Sequence, residues 1–278
     1  MSVFYRCPLC RAAMTQSEKS LVCAEGHNFD ISADGYVNFA AFLRHNAQRS
    51  GDAPDACAAR HAFLEEGLYD RLADAVASVL ASLDESLPPL VIDAGCGEGY
   101  YDRYIIGKCP SIEIYGLDLA SAAVRRAAKS AKKLPNLSYC VSGIFDMPFP
   151  DASARAVLSV FAPVPEEEAA RVLCDGGVLI VVSPAERHLY GLKKALYENP
   201  TENDAKNPAY NGLSFENVSR LSYTMTLSPE NASRLFAMTP YFFRSSGEVR
   251  DRAANLGTIE CEADFYIKVY RKRGTNHA

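Results

Sequence analysis

PPLVIDAGCGEGYYDRYI, residues 88–105, passes from a short apolar run (Leu90 to Ala94) into a glycine turn and then into a helical pattern. The turn is Gly95-Cys96-Gly97-Glu98-Gly99, a G-x-G-x-G. The dinucleotide fingerprint is G-x-G-x-x-G, which offers a helix N-terminus to a pyrophosphate. Here the third glycine comes one residue early. Glu98 also puts a carboxylate where a pyrophosphate would be repelled. The pattern therefore suits a ligand with a cationic amino acid end better than it suits NAD. Asp93 closes the strand just ahead of the turn.

Downstream, strand and helix patterns alternate. SIEIYGLDLA (111–120) is a second strand ending in Asp118, about twenty residues after the turn, where an acid can take ribose hydroxyls. SAAVRRAAKSAKKL follows as a helix, with Ser121 as the expected N-cap. LSYCVSG (137–143) is a third strand, ARAVLSVFAPVP (154–165) a fourth ending at Phe161, and CDGGVLIVVSP (174–184) a fifth. RLSYTMTLS and IECEADFYIKVYRKR supply two more, with a helix over Asn231 to Met238. The expected fold class is α/β, with a mainly parallel seven-stranded sheet and ligands at the C-terminal strand ends.

The chain has 278 residues, of which 48% are hydrophobic, enough to bury a core without staples. No apolar run approaches the ~20 residues of a membrane span. The start, MSVFYRCPLC, lacks a basic region leading into an apolar one, so no secretory signal is expected. Of nine cysteines, six (Cys57, Cys96, Cys109, Cys140, Cys174, Cys261) are scattered among apolar neighbours, the usage of a reducing compartment. The net charge of -5 argues against a surface coated in basic residues but leaves room for one basic contact face.

The other three cysteines cluster with a histidine. Cys7 and Cys10 are separated by two residues, twelve residues then precede Cys23, and three more precede His27. This is the spacing of a closed Cys3His structural zinc site, one ion per chain. A module this small has no core of its own, so metal would supply its folding energy. Three segments are expected: residues 1–34 as a zinc-binding domain, 35–68 as a linker and helical lead-in, and 69–278 as the domain that carries the glycine turn and the sheet.

The order of strands and the glycine turn resemble the class I S-adenosylmethionine-dependent methyltransferases, which are Rossmann-like. That resemblance implies that Asp93, Gly95, Gly97 and Glu98 surround the methionine end of the donor. Asp118 would take the ribose, and Leu119 would flank the adenine. The usual acid for the adenine amine falls near Gly143, and Asp146 comes slightly late, so no carboxylate contact to adenine is expected.

The zinc knuckle, GYVNFA, ARHAFLEEGLYDRL and DAGCGEGYY occur in series. So do Met147-Pro148-Phe149, Phe161-Ala162-Pro163 and PAERHLYGLKK. This series resembles the bacterial RlmA or RrmA family, which methylates N1 of a guanine in a hairpin loop of 23S ribosomal RNA. The resemblance spans nearly the whole chain. It implies zinc on Cys7, Cys10, Cys23 and His27, and a donor site that includes Tyr69, Gly97, Glu98 and His188. It also implies a cytoplasmic homodimer acting on a 23S rRNA hairpin, away from membranes.

Phe161-Ala162-Pro163 offers no carboxamide to hold an exocyclic amine, so a ring nitrogen is the better acceptor, and Phe161 would stack on the splayed base. No residue is assigned as the general base. Candidate RNA contacts are Arg44, His45, Arg49, Arg187, Lys193, Lys194 and Arg271 to Arg273; the basic residues of 125–133 read as a solvated helix face. The knuckle reads as an independently folded clamp on the RNA. Two alternatives remain at this stage: a small-molecule methyltransferase of the quinone type, and an inactive zinc-dependent RNA-binding protein that senses S-adenosylmethionine.

Overall fold

Leu90 to Ala94 is buried at every position, as expected of a strand covered on both faces of a parallel sheet. It lies at the centre of a computed structural model that describes residues 3–42, 54–206 and 208–274. The N-terminal part runs β1 (Met14–Ser17), β2 (Ser20–Cys23), β3 (Asn28–Asp30) and β4 (Tyr36–Asn38). Helices α1 (Pro54–Leu64) and α2 (Asp70–Ala81) lead into β5 (Leu90–Ala94), α3 (Tyr100–Lys108), β6 (Glu113–Asp118), α4 (Ser121–Ser130) and β7 (Leu137–Val141). Then come β8 (Ala154–Val160), α5 (Glu166–Val172), β9 (Leu173–Pro184), α6 (Tyr190–Leu196) and β10 (Leu213–Leu227). The chain closes with α7 (Pro229–Ala237), α8 (Pro240–Arg244), α9 (Gly247–Ala254) and β11 (Ile259–Lys272).

Among the described residues the main sheet has the order β10-β11-β9-β8-β5-β6-β7-β4. The pairings from β9 through β4 are parallel, and β11 is antiparallel to both its neighbours. Seven strands follow the sequence reading. The eighth, β4, comes from the segment read as linker and pairs with β7 through Tyr36–Tyr139, Val37–Cys140 and Asn38–Val141. Three residues are too few to show a period of two, so this strand has no signal of its own.

The knuckle is not the separate body the spacing suggested. Tyr5, Phe29 and Phe39 join Leu90, Ile92, Tyr115 and Phe149 in one apolar cluster on one sheet face. Tyr5 lies 5.0 Å from Tyr115 and 5.5 Å from Phe149, ring centre to ring centre. Aromatic contacts of this kind add to the burial of their area. The other face is covered by α2, α3, α4, α6 and α7. α4 buries Ala123, Val124, Ala127 and Ala128, one stripe of a 3.6-residue period. Ser121 is its first residue and makes no side-chain cap; Asp118 Oδ1 accepts the Ala120 N–H instead, at 2.8 Å. α7 starts earlier than read because Ser228 caps it, accepting the Asn231 N–H at 3.2 Å, with a proline in the first turn. The six scattered cysteines are all buried.

Candidate active site and metal centre

A cavity of about 1400 Å³ opens at the C-terminal ends of β5, β6, β8 and β9. Tyr69, Asp93, Gly95, Gly97, Glu98, Asp118, Leu119, Phe161 and His188 all line it. The topology makes this the switch-point crevice of an open α/β sheet.

At one end the backbone is bent by need. Gly95 has φ +89, and a Cβ there would fall 2.7 Å from the Ala162 side chain. Gly97 has φ +53, and a Cβ there would meet nothing within 4 Å, so its missing side chain leaves open space in the cavity. Its N–H donates to Asp118 Oδ2 at 3.0 Å, tying the turn to the end of β6. Asp93 is 2% exposed, and its Oδ1 has no hydrogen-bond partner among the described residues. Asp102, on the first turn of α3, is buried, with Asp93 and Tyr139 as its neighbours and no cation paired with its carboxylate among the described residues. Burial, then the neighbouring charge of Asp102, pushes the Asp93 carboxyl well up; burial takes Asp102 up to about 6. An unpaired buried carboxylate is costly, and a cationic partner in the cavity would relieve it.

Glu98 faces a different task. One oxygen lies 3.0 Å from Arg126 and the other 2.9 Å from His61. Its carboxyl thus joins α1, the turn and α4. Burial raises its pKa against the lowering pull of His61 and Arg126.

At the other end the wall is aromatic. Phe161 is 43% exposed, and its ring is stacked on His188 at 6.1 Å. Tyr69 and Phe265 pack beside them. Phe161 and Leu189 hold φ of +55 and +59, which side chains rarely adopt. Such strain tends to cluster at working sites. His188 Nδ1 accepts the Asp264 N–H at 3.3 Å, which leaves the ring proton on Nε2. Burial pushes this imidazole down to about 3, so it is neutral at physiological pH.

At the knuckle, the ligand atoms of Cys7, Cys10, Cys23 and His27 all lie within 4.8 Å of one another. Cys10 Sγ and Cys23 Sγ are 3.6 Å apart, and His27 Nδ1 is 3.5 Å and 3.4 Å from the sulfurs of Cys7 and Cys23. Zinc with Zn–S bonds of about 2.3 Å gives tetrahedral edges of roughly 3.7 Å, so the donor set fits that ion.

Two family descriptions match this chain: the RlmA N-terminal zinc ribbon over residues 5–40, and a methyltransferase domain over residues 91–177. The chain is 34% identical over 263 residues to the 23S rRNA (guanine(748)-N(1))-methyltransferase of Streptomyces fradiae, covering 92% of each chain. It belongs to the 23S rRNA (guanine-N1)-methyltransferase family. It is also 31% identical over 283 residues to YxjB of Bacillus subtilis, 95% of this chain and 94% of that one. A malonyl-[acyl-carrier protein] O-methyltransferase of Halorhodospira halophila is 27% identical over only 52% of this chain and 50% of its own.

Some residues of this family member's site had no sequence signal. Asn203 pins the loop before α6, donating to the carbonyls of Ala185 at 2.9 Å and His188 at 3.0 Å. Phe145 and Phe243 line the cavity and are exposed. Most of the basic residues expected at RNA are otherwise engaged. Lys193 is buried and donates to Thr201 O and Asn203 Oδ1; Arg187 pairs with Glu262 and Glu202, and Arg271 with Glu216. Lys272 and Arg273 donate to Leu173 O and Ser214 Oγ, whereas Lys194 is exposed. On α4, Arg125 pairs with Asp34 at 2.6 Å, so this face holds the knuckle segment rather than water alone. Arg44, His45 and Arg49 lie outside the described residues.

Proposed function

We propose that this chain transfers the methyl group of S-adenosylmethionine to N1 of a guanine in 23S ribosomal RNA. The observation that carries the reading is the likeness to the Streptomyces enzyme over 92% of both chains, knuckle included. The cavity supports it, because about 1400 Å³ holds a donor and a base together. When bound, the donor supplies an activated methyl on a sulfonium.

The residues divide the remaining work. Asp93 is the acceptor for the ammonium of the methionine end, and the Gly95–Gly97 turn lets backbone approach that end closely. Asp118 serves the ribose while holding the Gly97 amide, and Leu119 walls the adenine. Glu98 acts from behind by fixing the turn to α1 and α4. Tyr69 and His188 close the cavity beside the reacting atoms. Phe161 is the stacking platform for a base taken out of a loop. His188 carries its proton on Nε2 and so is a donor toward a guanine oxygen. With its pKa near 3 it is a poor base for the N1 proton, and no general base is assigned. Cys7, Cys10, Cys23 and His27 would hold one structural zinc. The reading extends to a hairpin-loop target and to a cytoplasmic homodimer. The proposed functional segments are 1–34, 35–68 and 69–278, with Tyr5, Phe29 and Phe39 of the first two packed against the third.

The test is labelled methyl transfer to unmodified ribosomal RNA followed by nucleoside analysis. N1-methylguanine is the expected product. A methylated exocyclic amine would contradict the Phe161-Ala162-Pro163 reading, and no transfer would favour the inactive sensor.

A further inference from the structure

The knuckle touches the core at a place where touching matters. Residues Gly143, Ile144, Phe145 and Asp146, which follow β7, form part of the cavity wall. Asp146 Oδ1 accepts from Arg11 Nη2 at 2.6 Å, and both side chains are mostly buried. Arg11 is the residue directly after the ligand Cys10. It holds φ +66, an unfavourable backbone for arginine. The metal-binding turn sets that conformation: the Arg11 N–H donates to Cys7 O at 2.9 Å, and the Cys7 N–H donates to Ala12 O at 2.8 Å. A few residues on, the Arg6 N–H donates to Pro148 O at 2.9 Å, and Arg6 Nη1 meets Asp151 at 3.0 Å.

The same short loop is therefore both a wall of the cavity and the docking strip of the knuckle. Phe145, in the middle of it, is 65% exposed, and its own side chain does little to hold the loop in place. The Arg11–Asp146 contact is charge-assisted and partly shielded from water, which makes it one of the stronger hydrogen bonds available.

We propose that Arg11 is a positioning residue through which the zinc knuckle sets the wall of the donor cavity, so that donor affinity depends on the Arg11–Asp146 pair. The inference rests on the reading of the cavity as the donor site. The knuckle is then part of the cofactor site as well as a module facing RNA. Removing the pair frees the 143–146 loop, and the donor must then order that loop itself on binding.

The test uses full-length, zinc-loaded protein, with calorimetry of S-adenosylmethionine and of its demethylated product. Arg11→Met and Asp146→Asn should each weaken binding about tenfold, the size of one lost charge-assisted bond. The double variant should be no worse than either single one, since both remove the same contact. Arg11→Lys should recover part of the loss. Zinc should stay at one per chain throughout, which separates loss of the pair from loss of the metal. In turnover, KM for the donor should rise while kcat at saturating donor holds. The exposed knuckle variant Lys19→Met should bind like native protein. If native protein binds the donor and both Arg11→Met and Asp146→Asn bind it equally well, the inference is overturned alone. If native protein binds no donor, the reading of the cavity falls, and the inference with it.

Discussion

The two ends of the cavity are built in opposite ways. The end proposed for the donor is made from one continuous stretch, Asp93 to Gly99, closed by Asp118 from the next strand, and much of its shape is backbone. The aromatic end, proposed to take the target base at Phe161 and to close on the donor at Tyr69 and His188, is made from side chains that arrive from distant parts of the chain, Asn203 and Phe243 among them. The first end is a local solution to a fixed ligand. The second is a non-local assembly, free to change with the substrate. The difference explains how one sheet can serve many acceptors with one donor.

The sharpest way to break this contrast is Gly97→Arg. The side chain would enter space that is now open, from a backbone at φ +53. Donor affinity should fall by on the order of 100-fold or more in calorimetry, with RNA affinity in a filter-binding assay retained. Equal loss of both would mean that the two ends are not separable.

Phe161→Ala probes the other end. Stacking on one aromatic contributes ~1–3 kcal/mol, so kcat/KM for RNA should drop about tenfold or more. Donor affinity should change less than about twofold if the ends are independent. A larger change in donor affinity would place Phe161 at the donor rather than at the base.

Asp102→Asn should have the smallest effect on binding, and what it changes is stability. The Asp102 pKa is about 6 in the folded chain, against an ordinary value of roughly 3.9. Between those values the folded state holds more protons than the unfolded one. The group's contribution is therefore fully present below pH ~4 and is lost as pH rises through ~6. The variant should be more stable than native at pH 8 by up to about 3 kcal/mol, the size of a two-unit shift, with a flatter stability profile across that window, read by urea denaturation. A variant less stable at pH 8 would mean that the buried carboxylate has a partner it needs.

What could be read from the sequence follows the same division. Cys7, Cys10, Cys23 and His27, and the turn with Asp118, were legible because short spacings encode them. Asp102 was not, since one acid on a helix turn carries no sign of burial. Glu98 was legible as a turn residue, but its pairing with His61 and Arg126 depends on two helices meeting. The docking of the knuckle was hidden for a similar reason. Tyr5, Phe29 and Phe39 are isolated aromatics in a stretch too short for a core, and only the fold places Tyr115 and Phe149 against them. β4 was missed because three residues cannot display a period.

β4 has a consequence for how the chain is made. It leaves the ribosome about a hundred residues before β7, the strand it pairs with. The metal turn can close as soon as it emerges, yet its aromatic face has nothing to rest on until β5, β6 and β7 exist. During that interval Tyr5, Phe29 and Phe39 are sticky surface on a nascent chain. Pairing across so long a loop is slow to find, so this chain should depend on chaperones more than its size alone requires.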